Sequence, residues 1–254
     1  MSKAFRVFLL LLFAAIPGNT ARAQRYAVAL NQTEERPAGL VAIPEIFGEY
    51  PCEPIRPQAV QVFATPSKQR PPIAVIERKN EPKQTEGPDC DETEAIVRRL
   101  GDGGSALLPT DESGYEYTKA IVYQQTGNWF RIAVPGGSAW IERKDSEGFM
   151  LYPEDLVSDA FLTYLRPNWD GNLWTTPGSG NPFTAPSAWR ALAKDDIGVR
   201  IVSIQVVRGE KWVRIRFERE VCGRSFENLP PVEGWLPAYR DAHVTSVWFW
   251  SRGC

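Results

Sequence analysis

Apolar positions along this chain alternate with polar ones at the period of a β-strand. In Trp129-Phe130-Arg131-Ile132 the alternation places Trp129 and Arg131 on one face and Phe130 and Ile132 on the other. Pro135-Gly136-Gly137 then turns the chain into a second strand through Ala139-Trp140-Ile141. The pattern recurs loosely as Lys211-Trp212-Val213-Arg214-Ile215-Arg216 and, after an insertion, as Gly234-Trp235-Leu236-Pro237. Each copy is preceded by a strand ending in aromatic-x-Thr-Pro: Phe63-Ala64-Thr65-Pro66 in the first, Trp174-Thr175-Thr176-Pro177 in the second. Proline there stops ladder pairing and fixes the bend.

Further strands are expected over 40–48, 59–67, 73–78, 115–123, 160–165, 199–207 and 245–250, with another at Leu107-Leu108. Residues 93–100 fit either a short helical turn or a strand, and 152–157 a brief helical or loop closure. Turns are expected at 124–128, 168–171 and 208–210, and 178–187 reads as loop. The matched stretches lie at unequal spacings. Pro66 precedes Trp129 by 63 residues and Pro177 precedes Trp212 by 35, whereas Trp129 precedes Trp140 by 11 and Trp212 precedes Trp235 by 23. One copy carries its insertion early and the other late, as surface loops on a shared scaffold do.

Length and composition sharpen this. The 254 residues accommodate two small domains, which the internal repeat favours. The 20 Gly, 21 Pro and 9 Trp suit short strands punctuated by turns. A net charge of −2 offers no basic footprint for nucleic acid. One histidine, His243, restricts metal and acid–base chemistry, and no cofactor motif is present. Gly101-Asp102-Gly103-Gly104-Ser105 lacks the following Lys-Ser/Thr of a phosphate loop and reads as a turn.

Residues 1–23 have the form of a signal peptide. Lys3 and Arg6 precede an apolar run over 7–16, Pro17-Gly18 breaks it, and Ala21-Arg22-Ala23 offers a cleavage site. Ten apolar residues reach only ~15 Å as a helix, about half of a bilayer core. No later segment is apolar enough to span a membrane, so a periplasmic or secreted location is expected. Removing Lys3, Arg6 and Arg22 takes the formal charge from −2 to −5. Cys52, Cys90, Cys222 and Cys254 fit an oxidising compartment, and Cys52–Cys90 with Cys222–Cys254 is the natural pairing if the repeats fold separately. The rival is a catalytic thiol at Cys90 or Cys222, for which His243 would be the base.

The strands Gly127-Asn128-Trp129-Phe130-Arg131-Ile132 and Gly209-Glu210-Lys211-Trp212-Val213-Arg214-Ile215, with closing segments Ala139-Trp140-Ile141 and Gly234-Trp235-Leu236, resemble bacterial SH3-like (SH3b) domains. The likeness covers about residues 55–142 and 165–250, and departs from the family where Ala139 replaces the usual glycine and where both copies hold long insertions. The resemblance implies an all-β protein of two tandem small barrels: an extension over 24–54, a first domain over 55–157 and a second over 158–254. It also implies a non-catalytic binding module for a cell-wall (peptidoglycan) peptide or an envelope protein. The family's hydrolases bring their own catalytic domain, for which no chain remains.

Aromatic faces suit sugars and peptide side chains, so Trp140 and Trp235 at the closing strands are the expected ligand-binding residues. Trp129 and Trp212 are expected to fill the barrels or cover their edges. Two other function classes stay open. A carbohydrate or wall hydrolase would use paired carboxylates such as Glu45/Glu49 or Asp91/Glu92/Glu94. A structural component of an envelope assembly would use strand edges. His243 reads as a loop residue rather than a metal ligand, having no partner at hairpin or helical spacing.

Overall fold

The computed structural model describes residues 36–47, 58–79, 94–113, 117–143, 148–157, 163–192, 197–221, 223–241 and 244–249. The expected signal peptide, all four cysteines and His243 lie outside the described residues.

The chain is mostly strand. The first half holds β1 (Gly39–Val41), a helical turn α1 (Pro44–Phe47), β2 (Val60–Val62), β3 (Ala74–Arg78), β4 (Ala95–Arg99), β5 (Ser105–Leu107) and β6 (Thr110–Ser113). It continues with β7 (Tyr117–Thr126), β8 (Trp129–Val134), β9 (Gly137–Glu142), β10 (Phe149–Leu151) and a 3-10 turn over Glu154–Leu156. The second half holds β11 (Thr163–Leu165), β12 (Asn172–Leu173), β13 (Phe183–Thr184), α2 (Ser187–Ala191), β14 (Ile197–Val207) and β15 (Glu210–Phe217). It ends with β16 (Glu220–Val221), β17 (Arg224–Ser225), β18 (Glu233–Pro237) and β19 (Val247–Phe249).

Two antiparallel sheets dominate, and they repeat one strand order. In the first half the path runs β10-β1-β7-β8-β9, with β6 also on β7. In the second half it runs β19-β11-β14-β15-β18. Read in chain order, both paths take an opening strand, a hairpin, a closing strand and a last strand that returns to the opening one. The long β7–β8 and β14–β15 hairpins each carry a bulge, between Val122 and Gln124 in one and between Ile201 and Ser203 in the other. The early insertion of the first half builds a separate sheet, β2-β3-β4-β5. The late insertion of the second half builds only the two-residue ladder of β16 and β17.

Alternation along β7 serves two cores. Ala120 and Val122 pack with Val41, Phe130, Ile132 and Ile141 against β3 and β4, a cluster that also takes Ile43 and Ile46. Ile121 and Tyr123 point the other way and join Leu40, Ala133 and Tyr152 in a cluster built mainly from second-half residues, among them Val199, Val213, Leu236 and Trp248. A strand buried on both faces contributes about 1.5–3 kcal/mol for each large apolar side chain it hides, on either side. The halves therefore share a core. Polar contacts reinforce the junction: the Tyr152 hydroxyl donates to the Ala238 carbonyl at 2.6 Å, and the Tyr239 hydroxyl donates to the Pro37 carbonyl at 2.8 Å. Lys211 pairs with Glu154, and Arg166 reaches Asp111 at 3.4 Å.

Some elements differ from the pattern-based expectation. The segment 40–48 is a three-residue strand followed by α1, because Pro44 cannot donate to a ladder but is well placed at a helix start. Within the ambiguous 93–100 stretch, Ala95–Arg99 forms strand β4, fixed by pairing to both β3 and β5. The turn expected over 124–128 contracts to Gly127-Asn128, since β7 continues to Thr126. Helix α2 was not foreseen. Its one buried side chain, Trp189, sits edge-on to Phe217 at 4.9 Å and donates its indole N–H to the Pro230 carbonyl, so tertiary packing creates a helix too short to announce itself by period.

Candidate functional site

The strand registers sort the tryptophans. In β8, Phe130 and Ile132 point into the first core, which leaves Trp129 and Arg131 on the opposite face. Arg131 lies directly across from Trp140 of β9, and Trp140 lies directly across from Phe63 through an isolated bridge. Residues facing each other across a ladder share a side of the sheet. The Phe63 ring meets Trp129 edge-on, with centroids 5.3 Å apart and planes at 86°.

The second half repeats the arrangement residue by residue. Val213 and Ile215 enter the core, so Trp212 and Arg214 face away from it. Arg214 lies across from Trp235 of β18, and Trp235 bridges to Trp174. Trp174 meets Trp212 edge-on at 5.4 Å and 80°. Each half thus presents an outward quartet of three aromatics and one arginine: Phe63, Trp129, Arg131 and Trp140, then Trp174, Trp212, Arg214 and Trp235.

The quartets differ in closure. Trp140 is only 9% exposed, with the Arg131 guanidinium 5.8 Å above its ring, and Phe63 is 4% exposed. Trp235 and Trp174 are half-buried, while Arg214 is exposed and pairs with Glu233 at 2.5 Å. Trp212 is buried at 7% exposure and Trp129 half-buried, each packed edge-on against the aromatic of the preceding stretch. The register gives the interior positions to their neighbours Phe130 and Val213.

Beside the second quartet lies an open cleft of about 300 Å³, lined by Trp174, Gly178, Ser179, Val207, Arg208, Glu210 and Trp212, with Gly180 at its edge. Trp212 is 7% exposed, and its indole N–H finds no hydrogen-bond partner among the described residues. A methyl group at Gly178 would stand 4.0 Å from that nitrogen and 2.7 Å from Val207 Cγ1, so the loop approaches the hairpin as closely as only glycine permits. Arg208, with φ at 53°, and Gly209, with φ at 83°, make the left-handed two-residue turn that tight hairpins favour. Neither Arg208 nor Glu210 forms an ion pair with a described residue.

Sequence reasoning singled out the closing tryptophans but passed over Trp174 and the tip of the second hairpin as ligand contacts. Both were visible in the chain, Trp174 in the aromatic-x-Thr-Pro match and the tip in the turn at Arg208-Gly209. Nothing in the sequence joined them.

The carboxylates behave otherwise. Glu45 pairs with Arg143, and Glu94 with Lys79 at 2.6 Å, while Glu49, Asp91 and Glu92 lie outside the described residues. In the Gly101–Ser105 turn, Asp102 accepts from the Gly104 amide at 3.0 Å and pairs with Arg99 at 2.9 Å. Among the described residues no group of three or more His, Cys, Asp or Glu side chains could hold a metal ion, and no helix is long and apolar enough to cross a membrane. No protein-family model, curated protein or solved structure matches the chain.

Proposed function

We propose that this protein is an exported, non-catalytic binding protein made of two tandem SH3-like modules that recognise a cell-wall peptide or an envelope protein. The observation that carries this reading is the repetition of the outward aromatic–arginine quartet on two sheets of the same strand order. Three aromatics and one arginine recur at matching positions in both halves, half-exposed at Trp174 and Trp235, and aromatic and arginine side chains are the groups that binding surfaces favour. Trp140 and Trp235, on the closing strands, are the proposed ligand contacts, with Trp174 and Trp212 beside the second. The leader over 1–23 and the cysteine pairs Cys52–Cys90 and Cys222–Cys254 belong to the same proposal, as does a periplasmic or secreted location. No cofactor or metal enters it.

The test is sedimentation of the mature chain, residues 24–254, with purified peptidoglycan sacculi, alongside a Trp140→Ala/Trp235→Ala double variant. Binding by the wild type that the folded double variant loses supports the proposal. A wild type that stays in the supernatant removes the wall as the ligand, and chemical crosslinking in the envelope then tests the protein partner.

A further inference from the structure

Lys119 and Met150 meet on the junction side of the first sheet. Leu40 of β1 pairs with Met150 of β10 on one edge and with Ile121 of β7 on the other, so the three side chains share that side. Lys119, two residues before Ile121 in the same strand, points the same way. Its ammonium lies 3.1 Å from the Met150 sulfur, and both side chains are half-buried. Asp111, directly across the β6–β7 ladder from Lys119, is held instead by Arg166 at 3.4 Å. Among the described residues, therefore, a thioether is the one acceptor this cation has. Thioether sulfur is a weak acceptor, and it compensates a partly desolvated ammonium poorly. Met150 is also the one methionine of the chain besides Met1, and it packs on the core that the halves share.

We infer that Met150 is a modification site for peroxide, its sulfoxide held by Lys119, so that oxidation tightens the junction of the halves instead of loosening it. In this step a sulfur lone pair attacks one peroxide oxygen, the S–O bond forms and the O–O bond breaks. The departing hydroxide takes the proton of the transferred hydroxyl and leaves as water. Sulfur is oxidised by two electrons and the peroxide is reduced by two. A half-buried methionine at the rim of a core gives an oxidant access that a fully buried one does not. A sulfoxide oxygen is ordinarily disruptive there, because it is polar and arrives without a donor. Here the donor is already in place and charged, and a charge-assisted hydrogen bond is about twice as strong as a neutral one. Desolvation, which lowers the Lys119 pKa in the reduced protein, is the same cost that the new acceptor offsets. A methionine sulfoxide reductase, drawing two electrons from a dithiol, returns the site to the thioether.

The experiment treats the purified protein with hydrogen peroxide at the dose that just converts free N-acetylmethionine. Peptide mass mapping locates the added oxygen, and thermal melts follow stability. The peptide holding Met150 is expected to gain one oxygen, and the oxidised wild type to melt about 2 °C above the reduced. Oxidised Lys119→Leu is expected to melt below its own reduced form, because the sulfoxide there has lost its donor. Met150→Gln brings an amide oxygen within the same reach without any oxidant. It is expected to melt at or above the wild type when Lys119 is present, and below Lys119→Leu when combined with that change. Met150→Leu is expected to melt alike before and after treatment. Three results overturn the inference: Met150 left unmodified, a wild type that loses as much on oxidation as Lys119→Leu does, or a Met150→Leu protein that shifts as the wild type does.

Discussion

Trp174 and Trp235 exchange both backbone hydrogen bonds, at 2.9 and 2.7 Å, and Phe63 and Trp140 do the same at 2.8 and 2.8 Å. Each pair staples the stretch after the opening strand onto the closing strand of its own half. Each also sets the first aromatic edge-on to the tryptophan of the middle strand. The stapled aromatics differ in burial, so their removal has unequal consequences. Phe63→Ala empties a nearly closed site and is expected to destabilise the protein by about 3 kcal/mol. Trp174→Ala, at a half-buried position, costs less. Urea unfolding of the two variants measures the difference, and equal losses would contradict the burial argument.

Two buried tyrosine hydroxyls give opposite expectations. Tyr152→Phe removes one of the two donors to the Ala238 carbonyl at the junction of the halves, the Ser246 amide remaining at 2.9 Å, and is expected to cost about 1 kcal/mol. The Tyr123 hydroxyl has no partner among the described residues, so Tyr123→Phe is expected to be neutral or stabilising. Thermal melts decide this, and the shared core predicts that each shows a single transition.

The same junction titrates. Burial raises the Tyr152 hydroxyl well above its ordinary value of 10.0, and burial, followed by the nearby Glu154 charge, pushes Tyr239 up to about 12. Both groups hold their protons in the folded chain at a pH where the unfolded chain has lost them. Their contribution is therefore complete below pH 10 and declines from there upward, through about pH 12 for Tyr239. Stability measured from pH 8 to 12 is expected to fall over that window, with a shallower slope for Tyr239→Phe.

Glycine substitutions separate strain from crowding. Gly127 has φ at 56° with open space around it, so Gly127→Ala carries only the left-handed backbone cost of about 1–2 kcal/mol. Gly178 has φ at 67° and Val207 Cγ1 only 2.7 Å from the new methyl, so Gly178→Ala adds a clash and is expected to destabilise more. Paired denaturant titrations check the order.

Lys119 lies half-buried with its ammonium 3.1 Å from the Met150 sulfur, and desolvation lowers its pKa. The charged form is the disfavoured one, so stability rises with pH as Lys119 sheds its proton in the folded chain below 10.5, its ordinary value. Lys119→Met is expected to raise the melting temperature at neutral pH and to remove that rise.

The sequence by itself determined the class of fold and the doubling. Period-two alternation requires strands, and the recurrence of aromatic-x-Thr-Pro, Trp-x-Arg and a closing Trp marks positions that the structure brings into the same mutual contacts twice. Alternation also separated Trp129 and Arg131 from Phe130 and Ile132, because side-chain direction in a strand is a local property of the backbone. Which face met a core was decided only in three dimensions. Ile121 and Ala120 look alike in the chain, yet one serves the junction and the other the first core, since β7 runs between two layers that are remote in sequence. Trp189 became the anchor of a helix for the same reason, through contacts with Phe217 and Pro230. The cleft is the extreme case. Trp174 and Gly178 come from one loop and Val207 and Trp212 from a hairpin remote from it in sequence, and only the register that carries the second hairpin past its tryptophan makes them one surface.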